Sequence, residues 1–193
     1  MRYKNIILLV FLLFLFNISI AFAQTPTINP SPTSIQPSPV KYTLSYPGMI
    51  PDNPLYKIKV LRDKITIKLM SDPQKKIDFY LLQTDKQIAM VPLLVDKKMV
   101  DLAKTTALKA ENNFTELTFV YKAYGFVPDE KMLRKLKSAA AKHQQVLNDA
   151  MTKVDSNDKQ TFQQVINFSK TNVDELDKIV KKAQRKAKKT IKQ

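Results

Sequence analysis

From Asn53 almost to its end, the chain sets apolar residues three and four positions apart, a spacing that belongs to helices buried along one face. The punctuation agrees. Asn53-Pro54, Ser71-Asp72-Pro73 and Pro128-Asp129-Glu130 each pair a capping or acidic side chain with a proline. Such side chains accept from the free N–H groups of a first helical turn, and proline there has no N–H to leave unpaired. Only two glycines occur among 193 residues, which suits long helices.

Five helices follow. The first opens at Asn53-Pro54 and carries Leu55, Ile58, Leu61, Ile65 and Leu69 on one face; this stripe, with Leu55 and Tyr56 turned inward, is expected to pin it to the others. The same stretch also alternates as a β-hairpin would, but Leu61–Lys64 lacks the Gly or Asn that a tight hairpin turn needs. Helix is therefore preferred. The second begins at Asp72-Pro73 with Ile77, Tyr80, Leu81, Thr84 and Ile88 in line, is kinked by Pro92, and frays near Asp96–Lys98. The third carries Val100, Ala103, Ala107, Ala110, Phe114, Leu117 and Tyr121, and stops at Gly125. The fourth follows Pro128, with a coiled-coil-like seam through Met132, Leu136, Ala139, His143, Val146, Ala150 and Val154. The fifth runs from near Lys159 to Lys189 through Phe162, Ile166, Val173, Leu176, Val180, Ala183 and Ala187. Short turns make neighbouring helices antiparallel. The expected fold is all-α: an up-and-down antiparallel bundle of about five helices over residues 51–193, its last helix overhanging.

Ahead of the bundle lie two segments of another kind. Arg2 and Lys4 precede the apolar "IILLVFLLFLF", and small residues close the stretch at Ala21 and Ala23. This is the order of a secretory signal peptide, residues 1–23, and implies an exported, extracytoplasmic protein. An uncleaved membrane anchor is the alternative, because Ile6–Ala23 is just long enough to span. Residues 24–50 are rich in Pro, Ser and Thr and form a linker of extended, polyproline-like character.

The absence of cysteine excludes disulfides, thiolate metal sites and cysteine nucleophiles. His143 is the single histidine and sits on a core-facing seam, where it reads as a buried spacer with no metal company. No Gly-rich phosphate loop is present. No catalytic, cofactor-binding or metal site is expected, and no cofactor. Asp129, Glu130, Asp174, Glu175 and Asp177 have the positions of ordinary surface acids; a carboxylate-dependent enzyme is the one enzymatic alternative they leave. Glu111 stands out among Ala110 and Phe114, and reads as a residue flanking the core that caps a neighbouring helix end.

Charge supplies the remaining lead. The net charge is +15; Arg2 and Lys4 of the leader account for two of these, leaving +13. Much of it sits in "KIVKKAQRKAKKTIKQ", with no acid after Asp177. Lys178, Lys181, Lys182, Arg185, Lys186, Lys188, Lys189 and Lys192 form a candidate polyanion-binding site beside a narrow apolar edge. Cations also suit the negative end of a helix dipole, so a merely solvated helix end competes with this reading. The tail has no aromatic residue for base stacking, which ranks nucleic acid behind wall polymer or lipid headgroups as partner.

Three stretches carry a family likeness: "IPDNPLYKIKVLRDKI", "SDPQKKIDFYLLQTDKQIA" and "LAKTTALKAENNFTEL". In them the chain resembles an exported bacterial helical family catalogued as a domain of unknown function, over roughly Pro51–Tyr121. The resemblance implies export and an all-α fold, and implies no activity. The expectation is a non-enzymatic cell-envelope protein, a helical interaction or scaffold module. Its basic surface would contact anionic polymer, lipid or a protein partner, with an extracytoplasmic nucleic-acid-binding protein as the alternative.

Overall fold

The computed structural model describes residues 40–190. The stretch read as a signal peptide, the expected linker as far as residue 39, and Lys192 lie outside the described residues. Ser38–Gln193 forms one compact unit. Its helices are α1 (Tyr56–Leu69), α2 (Pro73–Asp96), α3 (Val100–Tyr124), α4 (Glu130–Met151) and α5 (Ser156–Thr190), and the described residues hold no strand.

Local chemistry sets the helix ends. The Asp72 carboxylate accepts from Gln74 N at 2.9 Å and Lys75 N at 3.4 Å, with Pro73 in the first turn, so α2 starts as expected. Asp129 caps α4 by accepting from Met132 N at 2.6 Å. Gly125 ends α3 in the left-handed region, φ 67°. The end of α2 is less expected: Lys98 adopts φ 62°. Its N–H donates to Val95 O (2.9 Å) and Met99 N–H to Leu94 O (2.9 Å), the paired bonds that usually place glycine at this position. Helix α2 runs on through Pro92 and ends at Asp96. Asn53 does not cap α1. Its Oδ1 accepts from Leu55 N at 2.9 Å in the turn before the helix, which starts at Tyr56.

Four helices form a ring in which α2 and α5 each pack against both α3 and α4, and the most extensive contact joins α2 to α3. Ala103, Ala107 and Ala110, all fully buried, let α3 come that close. Cross-links give the directions. Lys104–Asp158 (2.5 Å) and Lys122–Glu175 (2.7 Å) run in step along α3 and α5, which are therefore parallel. Lys153–Asp96 (2.9 Å) joins the C-terminal ends of α2 and α4. Consecutive helices thus alternate in direction, while α3 and α4 face each other across the diagonal.

The core divides in two. One cluster centres on Ile88, Leu94, Leu147, Phe162 and Ile166, the other on Ile77, Phe114, Leu117, Leu136 and Leu176. Burying a side chain of this size contributes about 2–3 kcal/mol. Residues 40–50, within the stretch read as linker, lie on the bundle: Leu44 and Ile50 pack on the first cluster and Tyr42 on the second.

Helix α1 is where the structure departs most from the sequence reading. Tyr56 points inward and is 8% exposed, but the stripe expected to pin the helix faces solvent. Ile58 is 66% and Leu69 76% exposed, with Leu55, Leu61 and Ile65 also more than half exposed. The inward face is instead Tyr56, Val60, Asp63 and Ile67. Helix α1 has two partly apolar faces, and spacing alone does not say which one is buried.

Candidate functional site

The last buried residue of α5 is Leu176. From there to Thr190 the helix continues for about 21 Å at 1.5 Å per residue. Beyond Leu176 only Asp177 and the edge formed by Ile179, Val180 and Ala183 are partly covered. At 100° per residue, Lys178, Lys181, Lys182, Arg185, Lys186, Lys188 and Lys189 fall within one half of the helix surface, opposite that edge. Six of them, all but Lys188, line a shallow concavity of about 490 Å³.

Lys178 differs from the rest. It donates to Glu175 at 2.7 Å, and Glu175 also accepts from Lys122 of α3 at 2.7 Å. The hydrogen bonds from Lys122 and Lys178 hold the Glu175 carboxyl down to about 2, and the bond to Glu175 raises Lys178 in turn. That knot fastens the base of the basic run to the bundle. Beyond it, Lys181, Lys182, Arg185, Lys186, Lys188 and Lys189 are exposed and enter no ion pair among the described residues. Lys192 lies outside those residues. The structure therefore gathers seven of the eight expected cations on one projecting helix, six of them unneutralised. A row of like charges at this spacing repels itself and is relieved by a multivalent anion.

Four of the five acids considered as catalytic candidates have other duties, Glu175 in the knot above. Asp129 caps α4, Glu130 pairs with Arg134 one turn on, and Asp177 pairs with Lys137 at 2.6 Å. Among the described residues no three His, Cys, Asp or Glu side chains are grouped to hold a metal.

Sequence reasoning missed a buried polar layer between the two core clusters. Asp85 on α2 meets His143 Nε2 on α4 at 2.8 Å and accepts from Tyr42 Oη at 2.8 Å. Glu111 on α3 accepts from Asn172 Nδ2 on α5 at 2.8 Å, and Asn172 also donates to Thr115 Oγ1 at 2.9 Å. Phe114 lies edge-on to His143, ring centres 5.9 Å apart. Burial, then the neighbouring Asp85, raises the Tyr42 hydroxyl well above its ordinary range. Burial raises Glu111 to about 7, against the opposing pull of Asn172. Glu111 Oε2 and His143 Nδ1 have no partner.

Each of these pairs joins two parallel neighbours of the ring, α2 to α4 and α3 to α5. A one-turn slip of either would strand a buried charge or amide, so the layer fixes register. Asp85, Glu111 and His143 are at most 4% exposed, which shuts them off from any substrate. The signal was in the spacing: Asp85 lies four residues after Leu81 and three before Ile88, on the buried face of α2.

A groove of about 460 Å³ lies between α1 and the α2–α3 pair. Tyr56, Phe79 and Tyr80 line it with polar groups that largely satisfy one another: Gln83 donates to Asp63 at 3.3 Å and Asn113 to Gln87 at 3.0 Å. Its existence follows from α1 touching the bundle along one narrow face.

No curated protein and no solved structure matches the chain. A family model for a domain of unknown function, DUF5667, matches residues 48–186, from the turn ahead of α1 into the basic run of α5, and the chain belongs to that family.

Proposed function

We propose that the chain is a non-enzymatic, exported cell-envelope module. Its folded bundle presents the basic end of α5 to a polyanionic surface, either an anionic wall polymer or lipid headgroups. One observation carries the reading: six exposed cations, Lys181 to Lys189, project past the last core residue with no acid to neutralise them. Three features support it. The signal-like leader implies export; the Pro-rich linker provides a tether; and the buried carboxylates are engaged in helix register, out of reach of a substrate. Each cation near a charged surface adds about 1 kcal/mol, so a run of six suffices for reversible attachment.

The test is retention of residues 38–193 on immobilised phosphate-rich wall polymer, anionic vesicles and duplex DNA, with and without residues 181–193, across a salt series. Tail-dependent, salt-sensitive retention on polymer or vesicles is the expected result. Tail-dependent preference for DNA would replace this reading with a nucleic-acid one. Equal retention with and without the tail would refute it.

A further inference from the structure

The outer face of α1 is the most exposed apolar feature of the described residues. Leu55, Ile58, Leu61, Ile65 and Leu69 form a continuous ridge down its length, each more than half exposed. The opposite face, with Tyr56 buried, turns toward the groove and the bundle, so the ridge points outward. At 100° per residue, Lys57 and Lys68 run along one flank of the ridge, Arg62 projects from within it, and Lys64 turns toward the groove. The single acid of α1, Asp63, sits on the groove side, paired with Lys59 at 3.4 Å and Arg62 at 2.7 Å. The outward half therefore carries apolar and basic side chains, and no acidic one.

We propose that this ridge seats α1 in the headgroup region of an anionic lipid bilayer, with the helix lying in the membrane plane. An apolar strip bordered by Lys and Arg is the composition that enters the boundary between headgroups and acyl chains. At 14 residues the helix is about 21 Å long, too short to cross a hydrocarbon core of about 30 Å, so it lies on the membrane. Charge argues against a second copy of the chain as the occupant. Two such ridges face to face would set Lys57, Arg62 and Lys68 of one copy beside the same cations of the other, with no carboxylate on the ridge to answer them. The same charges are complementary to acidic lipid. The inference rests on the envelope reading above, names lipid as its partner, and depends on residues separate from the basic run.

The experiment is co-sedimentation of residues 38–193, the compact unit containing both core clusters, with vesicles of equal parts phosphatidylglycerol and phosphatidylcholine. It compares the parent with Ile58→Glu/Ile65→Glu and with a chain lacking residues 181–193, at low salt and at about 0.5 M NaCl. There the screening length is roughly 4 Å and purely electrostatic attachment fades. The parent is expected to keep a bound fraction at high salt, and the ridge variant to bind at least tenfold more weakly with an unchanged melting curve. Tail removal should reduce low-salt binding but spare the salt-resistant fraction. Parent-like binding by the ridge variant would overturn the inference while leaving the tail reading intact. Loss of the salt-resistant fraction on tail removal alone would also overturn it. A salt-resistant fraction that depends on the ridge, with tail removal having no effect at low salt, would support the ridge and refute the tail. A ridge-dependent dimer in solution without vesicle binding would assign the face to a second copy and overturn the proposal.

Discussion

Glu111→Gln should change the pH dependence of the whole fold. The Glu111 side chain is 2% exposed, Oε1 takes the Asn172 amide at 2.8 Å, and Oε2 has no partner. Burial lifts its carboxyl from 4.5 to about 7. The folded state therefore holds this proton more tightly than the unfolded chain does. The stability linked to it is fully present below about pH 4.5 and is lost as pH rises through about 7. Between about pH 5 and about pH 8 the loss amounts to about 2.5 kcal/mol, at 1.36 kcal/mol per pK unit of difference. For a unit of this size that is roughly 5–10 °C in melting temperature.

Glutamine keeps the shape and the acceptor for Asn172 and has no proton to lose. The assay is thermal unfolding by circular dichroism of parent and variant at both pH values. The parent's melting temperature is expected to fall by that much more than the variant's between acid and alkaline pH, and the variant should be the more stable at about pH 8. His143, beyond Phe114, and the surface ion pairs are common to both proteins and cancel in the comparison. Equal pH slopes in the two proteins would refute the argument that burial holds Glu111 protonated.

Tyr42→Phe removes the donor to Asp85 Oδ2 and should cost about 1–2 kcal/mol, seen as a lower denaturant midpoint; an unchanged midpoint would mean residues 40–50 do not dock. Lys98→Gly relieves a left-handed backbone at the end of α2 and should raise stability by about 0.5–1 kcal/mol, whereas a loss would contradict that geometry. Leu55→Asp on the outer ridge should stay within about 0.5 kcal/mol of the parent, while Tyr56→Ala, which opens the inner face, should cost about 2 kcal/mol or more. The opposite ranking would mean the two faces of α1 are exchanged.

The bundle was legible in the sequence because its stripes are unambiguous. Ile77 through Ile88, Ala103 through Tyr121 and Leu136 through Ala150 alternate with strongly polar faces, so each helix has one side to bury. Asp72-Pro73 and Gly125 mark ends by backbone chemistry that needs no tertiary context. Helix α1 was legible as a helix and not in its orientation, since Tyr56, Val60 and Ile67 compete with Ile58, Leu61 and Ile65. The contest is decided by what α2 and α3 offer, chiefly the surface around Tyr80 and Gln83. The polar layer was hidden for a related reason. His143 shows its seam position in the sequence, but its partner Asp85 is 58 residues away and on another helix. The basic run needed only composition to be seen. Its projection past Leu176, and the absence of acids around it, are facts of packing.

In the proposed function, the unneutralised cations of α5 grip a polyanion. The most direct measurement is the affinity of residues 38–193 for long-chain inorganic polyphosphate across a salt series. Beside it stands a variant with Lys181, Lys182, Arg185, Lys186, Lys188 and Lys189 all changed to Gln. Cations that engage phosphates release counterions, so log affinity falls with log salt at a slope near the number engaged. A steep line is expected for the parent and a slope shallower by roughly four to six for the variant, with matching melting curves. Parallel lines for the two proteins would contradict it.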